Sequence, residues 1–352
     1  MPTSPSQPSL FGLKKTNRDF TLRDSWGKNQ FNSSFPAALC CYMHSRGMAV
    51  NYLSISRNDF RCLDLPVEKV FGIDPLGTDT YFAFESHHSP YQRFVIGTLP
   101  RTDLVIQRES TGECVAGLEV KLTALPDSTT CELHPNQYGS EIVIRPDTIV
   151  YLACSLALRM GDLLMPLIPD LPINDWSEPG QVEPHMTTIA QAIAAVSKAA
   201  EAVQGSFLLQ PIWKTMGKSP ELADKCLDVF VWSDAGFAYF ISELSLKEGP
   251  HSRLSRPRRS SVWLFKMLHE IKTSGRFNHE RIIDELLYNT RNDKAFASSG
   301  IVTNLYMASP RLQSPLVGRD EIKNIILGGG QALLSPERRF DAILFSSPHL
   351  FS

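Results

Sequence analysis

Asp103, Glu119 and Lys121 are the residues of this chain whose types and spacing most directly suggest a reaction. In "CVAGLEVKLTA", residues 114–124, Glu119 and Lys121 alternate with Leu118, Val120 and Leu122, so on a strand both charges project from one face. The preceding run "RTDLVIQR" and the turn "ESTGE" complete a hairpin, with Gly112 supplying the turn conformation. Asp103 opens the first arm, so a turn near 109 to 112 sets it at the height of Glu119 and lets the two share a face. Two carboxylates that close repel one another unless a cation separates them. A hard divalent ion such as Mg²⁺ takes one or two carboxylates, keeps waters and accepts a phosphate oxygen. The backbone carbonyl of Val120 offers one more oxygen. Lys121 would then hold an attacking water and offset charge gathering on a pentavalent phosphorus, which makes phosphodiester hydrolysis the matching chemistry. The plainer alternative is a half-wet strand face carrying a weak ion pair.

Other combinations fit less well. Glu321-Ile-Lys323 repeats the spacing in a helical run, with no strand carrying an aspartate before it. Pro146-Asp147 and Pro169-Asp170 have no Glu-x-Lys behind them, and Asp127 falls too late in the chain. His87 and His88 are adjacent, so on a strand they face opposite ways, and they read as surface or loop histidines. Glu85 reads as a structural acid, or as an additional acid near the metal; Gln191 on an Ala-rich run faces either core or site. Gly328-Gly329-Gly330 lacks the GK[ST] of a phosphate loop. The seven cysteines include no CxxC pair, which argues against a disulfide framework and a structural zinc site, and fits a reducing cytoplasm. Cys40 and Cys41 read as packed thiols in an apolar helix.

The elements that must position the hairpin follow from pattern. Residues 1–35 are polar, without the apolar run of a secretory signal, and read as a disordered arm. Residues 36–248 read as the core. It opens with a short helix in "FPAALCCYMHSRG" and a strand in "AVNYLSISR". A strand or strand-loop-strand unit in "YFAFESHHSPYQRFVIGTLP" leads to the hairpin, followed by the polar loop "ALPDSTTCELHPNQYGSE". A helix is expected over about 148–160, capped by Asp147 and Gly161. Its surroundings approach membrane-spanning length, but Arg159, Gly161 and Asp162 interrupt the run, so a soluble core helix is expected. "HMTTIAQAIAAVSKAAEAVQG" is a second helix ending at Gly205, and two strand-like runs flank Asp234-Ala235-Gly236. This order indicates an α/β or α+β fold with a mixed sheet flanked by helices, and α/β is the class expected.

Net charge is −2, so any polyanion site must be a local cluster. One exists in residues 249–352, a basic helical and loop region expected to pack on the core. "HSRLSRPRRSSVWLF" carries Arg253, Arg256, Arg258 and Arg259 with no acid among them, in a loop leading into a helix capped by Ser260 or Ser261. Arginines grip phosphates bidentately or read guanine O6 and N7 in the major groove. A solvated basic loop is the alternative.

An acid on one strand, a turn, and Glu-x-Lys on the next resemble the PD-(D/E)xK nuclease superfamily, although Pro100 stands three residues before Asp103 rather than beside it. With "GLEVKLTALPD" and "YGSEIVIRPDTIVYLA" included, the chain resembles the HindVP-like type II restriction endonucleases. That resemblance implies a PD-(D/E)xK restriction-endonuclease-like core with an extra helical C-terminal part, and Mg²⁺-dependent cleavage of duplex DNA at a palindromic GC-rich hexamer of the form GRCGYC. It implies Asp103, Glu119 and Val120 at the metal and Lys121 at the attacking water. A two-fold palindrome cut on both strands calls for a homodimer, and a companion DNA methyltransferase would protect the host. The alternatives are a repair or recombination nuclease that recognises DNA structure, and a non-catalytic DNA-binding protein.

Overall fold

The computed structural model describes residues 13, 15–18, 37, 41, 44, 50–56, 59–65, 67–123, 142–204, 208–209, 214–216, 219–221, 229–231, 234–247, 254–288 and 296–298; in the strands outside 80–118, and at Val67, Gln204, Phe240, Leu244, Lys247 and Arg256, it describes the backbone alone. The hairpin of β1 (Val50–Ser56) and β2 (Asp59–Leu65) leads into a short helix, α1 (Val67–Phe71). Next comes an antiparallel sheet in the order β3 (Thr80–Ser86), β4 (Thr102–Arg108), β5 (Cys114–Leu118). Leu104, Val105 and Ile106 are all fully buried, so β4 is covered on both faces and reads as an apolar block rather than an alternation. Its turn is closed by Gly112 at φ +69, whose N–H donates to the Arg108 carbonyl at 2.8 Å.

The strand after the turn is not continuous. It stops at Leu118 and resumes as β6 (Lys121–Thr123), which belongs to a different sheet. The chain continues through β7 (Ile142–Ile144), α2 (Pro146–Met160), α3 (Pro179–Val182) and α4 (Met186–Gln204). Short strands follow: β8 (Leu208–Leu209), β9 (Lys214–Met216), β10 (Ser219–Glu221) and β11 (Val229–Val231). Helices α5 (Asp234–Lys247), α6 (Arg256–Ser274) and α7 (His279–Glu285) precede the last described strand, β12 (Phe296–Ser298). A single mixed sheet is what the element order predicts. The described strands instead pair antiparallel in sheets of two or three, and parallel contacts are limited to the bridges Thr16–Phe82 and Val95–Phe277. Tight turns such as those of β1–β2 and β4–β5 leave only the antiparallel option.

Helix α2 lies at the centre of the core. Ile149, Val150, Leu152, Ala153, Cys154 and Leu156 are buried among side chains of α4, α5 and α6. It starts two residues before the expected 148, because Pro146 takes the first helical position, where its missing N–H costs nothing; Arg145 is the N-cap, and Asp147 lies inside the first turn. Gly161 is the C-cap, as expected. Two elements differ from expectation. The second strand-like run after Asp234 is helix α5, whose buried Ala235, Phe237, Ala238, Tyr239 and Ile241 leave no polar stripe to betray a helical period. Helix α6 begins behind Ser255, whose hydroxyl accepts from the Arg258 N–H at 3.4 Å, so Ser260 and Ser261 are buried interior residues rather than caps. Among the described residues no helix is long and apolar enough to cross a membrane.

The N-terminal arm is also more than a loose lead. Residues 15–17 run along β3, with the Phe82 N–H donating to the Lys15 carbonyl at 2.9 Å and the Asn17 N–H to the Phe82 carbonyl at 3.4 Å.

Candidate active site

Leu104 pairs with Leu118 in the β4–β5 register, and one further step sets Asp103 across from Glu119. Asp103 Oδ2 accepts a hydrogen bond from the Val120 N–H at 2.8 Å. That bond gives a physical reason for the break in the strand: an amide that would extend the ladder is taken by a side chain, and the chain is released into a second sheet. Glu119 and Val120 are therefore a two-residue joint between sheets. Glu119 is 6% exposed, and the Thr148 hydroxyl, itself 1% exposed, donates to its Oε1 at 3.0 Å. Thr148 lies in the first turn of the 15-residue helix α2, whose N-terminal dipole favours a carboxylate there. The same hydroxyl accepts from the Arg145 N–H at 3.4 Å, so it also serves the cap.

The donor set suits a hard divalent cation. Two carboxylates flank one peptide, and Val120 adds a backbone oxygen. Among the described residues no group of three or more His, Cys, Asp and Glu converges. The Lys121 backbone pairs with Val231 at the head of β6, immediately after the joint; its side chain lies outside the described residues.

Beside the acids stands a positive group that composition did not flag. Arg18 Nη2 lies 3.3 Å from Glu85 Oε1, and the guanidinium covers the Phe84 ring at 4.5 Å. Burial pulls this guanidinium down to about 10, while the charges of Glu85 and Asp103 hold it up. Glu85 has φ +47, a left-handed conformation that costs a non-glycine residue roughly 1–2 kcal/mol. Asn17 pins it: its Oδ1 accepts from the Phe84 N–H at 2.9 Å, and its Nδ2 donates to the Phe84 carbonyl at 2.9 Å and to Ser86 Oγ at 3.3 Å.

Behind β5 lies a buried polar network. Tyr151 donates to the Gly117 carbonyl at 3.2 Å and to Asp234 Oδ1 at 3.0 Å; Ser155 donates to Asp234 Oδ2 at 2.6 Å, where Arg159 Nε also lies at 3.2 Å. Asp234 is fully buried, and burial pushes its carboxyl up against the opposing pull of Arg159, Ser155 and Tyr151. Gly117 is closely covered: a Cβ there would come 3.0 Å from His88 Cγ and 3.2 Å from the Tyr91 hydroxyl. His88 is buried against Tyr91, contrary to the surface reading, while His87 is exposed. Burial pushes the His88 imidazole down to about 4, with Arg159 adding to it.

The basic cluster divides. Arg259 is completely buried, stacked over Trp263 at 4.6 Å, with its Nη1 3.5 Å from the Leu287 carbonyl. That corrects the reading of Arg259 as a DNA contact: its planar guanidinium packs on an aromatic face one helical turn away and sees no solvent. Arg258 is half-buried near the Ser245 carbonyl. Arg253 and the side chain of Arg256 lie outside the described residues, as do Asp127, Glu321, Lys323, Gly328, Gly329 and Gly330. Cys41 is buried as expected, whereas Cys40 lies outside the described residues. Asp147 and Gln191 are exposed, and Asp170 is held by His269 and Lys272. Thr148 and Arg18 were missed. A Thr at the third helical position after Arg-Pro is a detectable cap signal, but nothing in "KTNRDF" points to Glu85 far along the chain.

The model of the HindVP restriction endonuclease family matches residues 26–351. The probable type II restriction enzyme HindVP of Haemophilus influenzae is 51% identical over 98% of this chain and 95% of its own length. The type II restriction enzyme HgiDI of Herpetosiphon aurantiacus is 43% identical over 98% of each chain. No solved structure matches.

Proposed function

The chain belongs to the HindVP restriction endonuclease family, and from that premise we propose that its phosphodiester hydrolysis is centred on the joint between β5 and β6. As a type II restriction endonuclease it hydrolyses duplex DNA. The observation that carries the assignment of the site is the pair of hydrogen bonds that sets Asp103 and Glu119 on either side of one peptide: Val120 N–H to Asp103, and Thr148 hydroxyl to Glu119.

In this reading Asp103, Glu119 and the Val120 carbonyl hold Mg²⁺. Bound there, the ion would lower the pKa of a water and offset charge on the phosphorus. Thr148 fixes one oxygen of Glu119. Lys121, two residues on, orients the attacking water through its ammonium group. Arg253, Arg256 and Arg258 grip the DNA, and Arg259 secures the helix to which Arg256 and Arg258 belong. The core over 36–248 carries the chemistry and 249–352 the DNA contacts. Two copies related by a two-fold axis would cut both strands of a GC-rich palindrome of the form GRCGYC, with a methyltransferase shielding host DNA.

A digest of a sequenced plasmid with Mg²⁺ tests this. Discrete fragments whose ends share one GC-rich hexamer, absent with Lys121→Ala or with chelator, are expected. A smear, or cutting confined to branched or single-stranded DNA, would contradict site-specific cleavage and favour a structure-reading repair nuclease.

A further inference from the structure

Glu85 stands where it could spoil the site. The pairs Phe84↔Leu104 and Ser86↔Thr102 bracket it at the level of Asp103 on the neighbouring strand, although Glu85 itself, at φ +47, is skipped by the pairing; on the other side the β4–β5 pairing ends at Leu104↔Leu118, one step short of Asp103 and Glu119. Asp103 is therefore flanked by an acid on each side. Like charges directly opposite one another in a sheet repel, and a carboxylate pair so placed attracts a divalent cation. Without a further device, an ion could settle between Glu85 and Asp103 as well as between Asp103 and Glu119.

The arm along β3 supplies the device. Asn17 holds Phe84 by both backbone groups, and the next residue, Arg18, meets the Glu85 carboxylate at 3.3 Å. The Arg18 side chain is only 11% exposed and lies flat on Phe84, so its position is built rather than casual. We infer that Arg18 is the resident counter-cation of the Glu85–Asp103 pair, a positioning residue that closes this side of Asp103 to divalent ions and leaves them the Glu119 side. The inference rests on the reading of Asp103 and Glu119 as the metal-holding pair.

The test uses the full-length protein without DNA, titrated with Mn²⁺ to count sites, alongside single-turnover cutting in Mg²⁺. Arg18→Gln, and Arg18→Met to keep the stem on Phe84, should bind one additional Mn²⁺ and cut about tenfold more slowly at limiting metal, a non-additive effect of the kind neighbouring charges show. Adding Glu85→Gln to either should return both the stoichiometry and the rate. Glu85→Gln alone, whose folding does not depend on removing a buried cation, should bind and cut as the unaltered protein does. Unchanged Mn²⁺ stoichiometry in the Arg18 variants, a double variant as slow as Arg18→Gln, or loss of cutting in Glu85→Gln alone would each overturn the inference. Asp103→Asn separates the two claims: wild-type binding and cutting in that variant would refute the metal pair itself, whereas its inactivity together with any of those three results would refute only the role of Arg18.

Discussion

Replacing Thr148 by valine keeps the shape of the side chain and deletes one hydroxyl. That hydroxyl donates to Glu119 Oε1 at 3.0 Å, and both ends are shielded from water, at 1% and 6% exposure. A hydrogen bond to a charged group contributes about 1.5–3 kcal/mol, which corresponds to roughly 10- to 150-fold in an equilibrium or rate constant. The second bond to the hydroxyl, from the Arg145 N–H, is long at 3.4 Å and reaches an exposed residue, so its loss should lower stability only slightly. The larger effect should fall on the carboxylate: with one oxygen no longer held, Glu119 loses its preset orientation, and such supporting contacts typically change metal affinity or activity about 10- to 100-fold. Thr148→Val and Thr148→Ser should be compared by Mn²⁺ titration, single-turnover cutting and thermal melting. The valine variant should bind and cut at least about tenfold less well with a nearly unchanged melting temperature, and serine should recover most of the loss. If valine cuts within about twofold of the unaltered protein while melting distinctly earlier, Thr148 is a helix cap and nothing more.

Three further perturbations bear on the elements around the site. Gly117→Ala puts a Cβ 3.0 Å from His88 Cγ, so the His88 ring must give by a few tenths of an ångström two residues before Glu119; overpacking of about 1–3 kcal/mol should lower the melting temperature, and cutting should fall at temperatures where the variant is still folded. Arg259→Ala removes the stacking on Trp263 from a fully buried site and should cost about 2–4 kcal/mol in a denaturant titration. The salt dependence of its DNA binding should stay unchanged, since no phosphate contact is lost. His88 is held neutral in the fold, down to about 4 from 6.5, so the stability it contributes is complete above pH 6.5 and is lost as pH falls toward 4. The slope should reach at most about 1.4 kcal/mol per pH unit, and His88→Gln should flatten it; equal slopes in both proteins would show that other groups govern the acid limb.

The hairpin and its two acids were legible in the sequence because they depend on local rules. A glycine able to adopt φ +69 and a short turn set the hairpin, but its register on the turn side would bring Asp103 level with Leu118; the β-bulge between Ile106 and Gln107, which the sequence did not announce, moves the register by one toward Glu119. Helices α2 and α4 were legible for similar reasons, through Pro146, Gly161 and sustained apolar spacing. The joint at Glu119-Val120 was not, because it hinges on a side chain seventeen residues away capturing a backbone amide. Helix α5 hid behind the burial of its first turns, where Asp234 through Tyr239 are all buried and set no polar period. Arg259 carried a usable sign, an aromatic residue four positions on, but a cluster of arginines suggests solvent more strongly than stacking. The docking of Asn17 and Arg18 on β3 spans 67 residues, and no local pattern encodes a contact of that kind.

The claim on which the rest stands is that Asp103 and Glu119 form the working acid pair. Single-turnover cleavage of a duplex by Asp103→Asn and by Glu119→Gln, each verified as folded and still bound to DNA, addresses it directly. Losses of at least about a hundredfold in both variants, accompanied by loss of Mn²⁺ binding, are predicted, as expected when a metal-supplied part of phosphodiester hydrolysis is removed. Cleavage within about twofold of the unaltered protein in either variant would contradict the account.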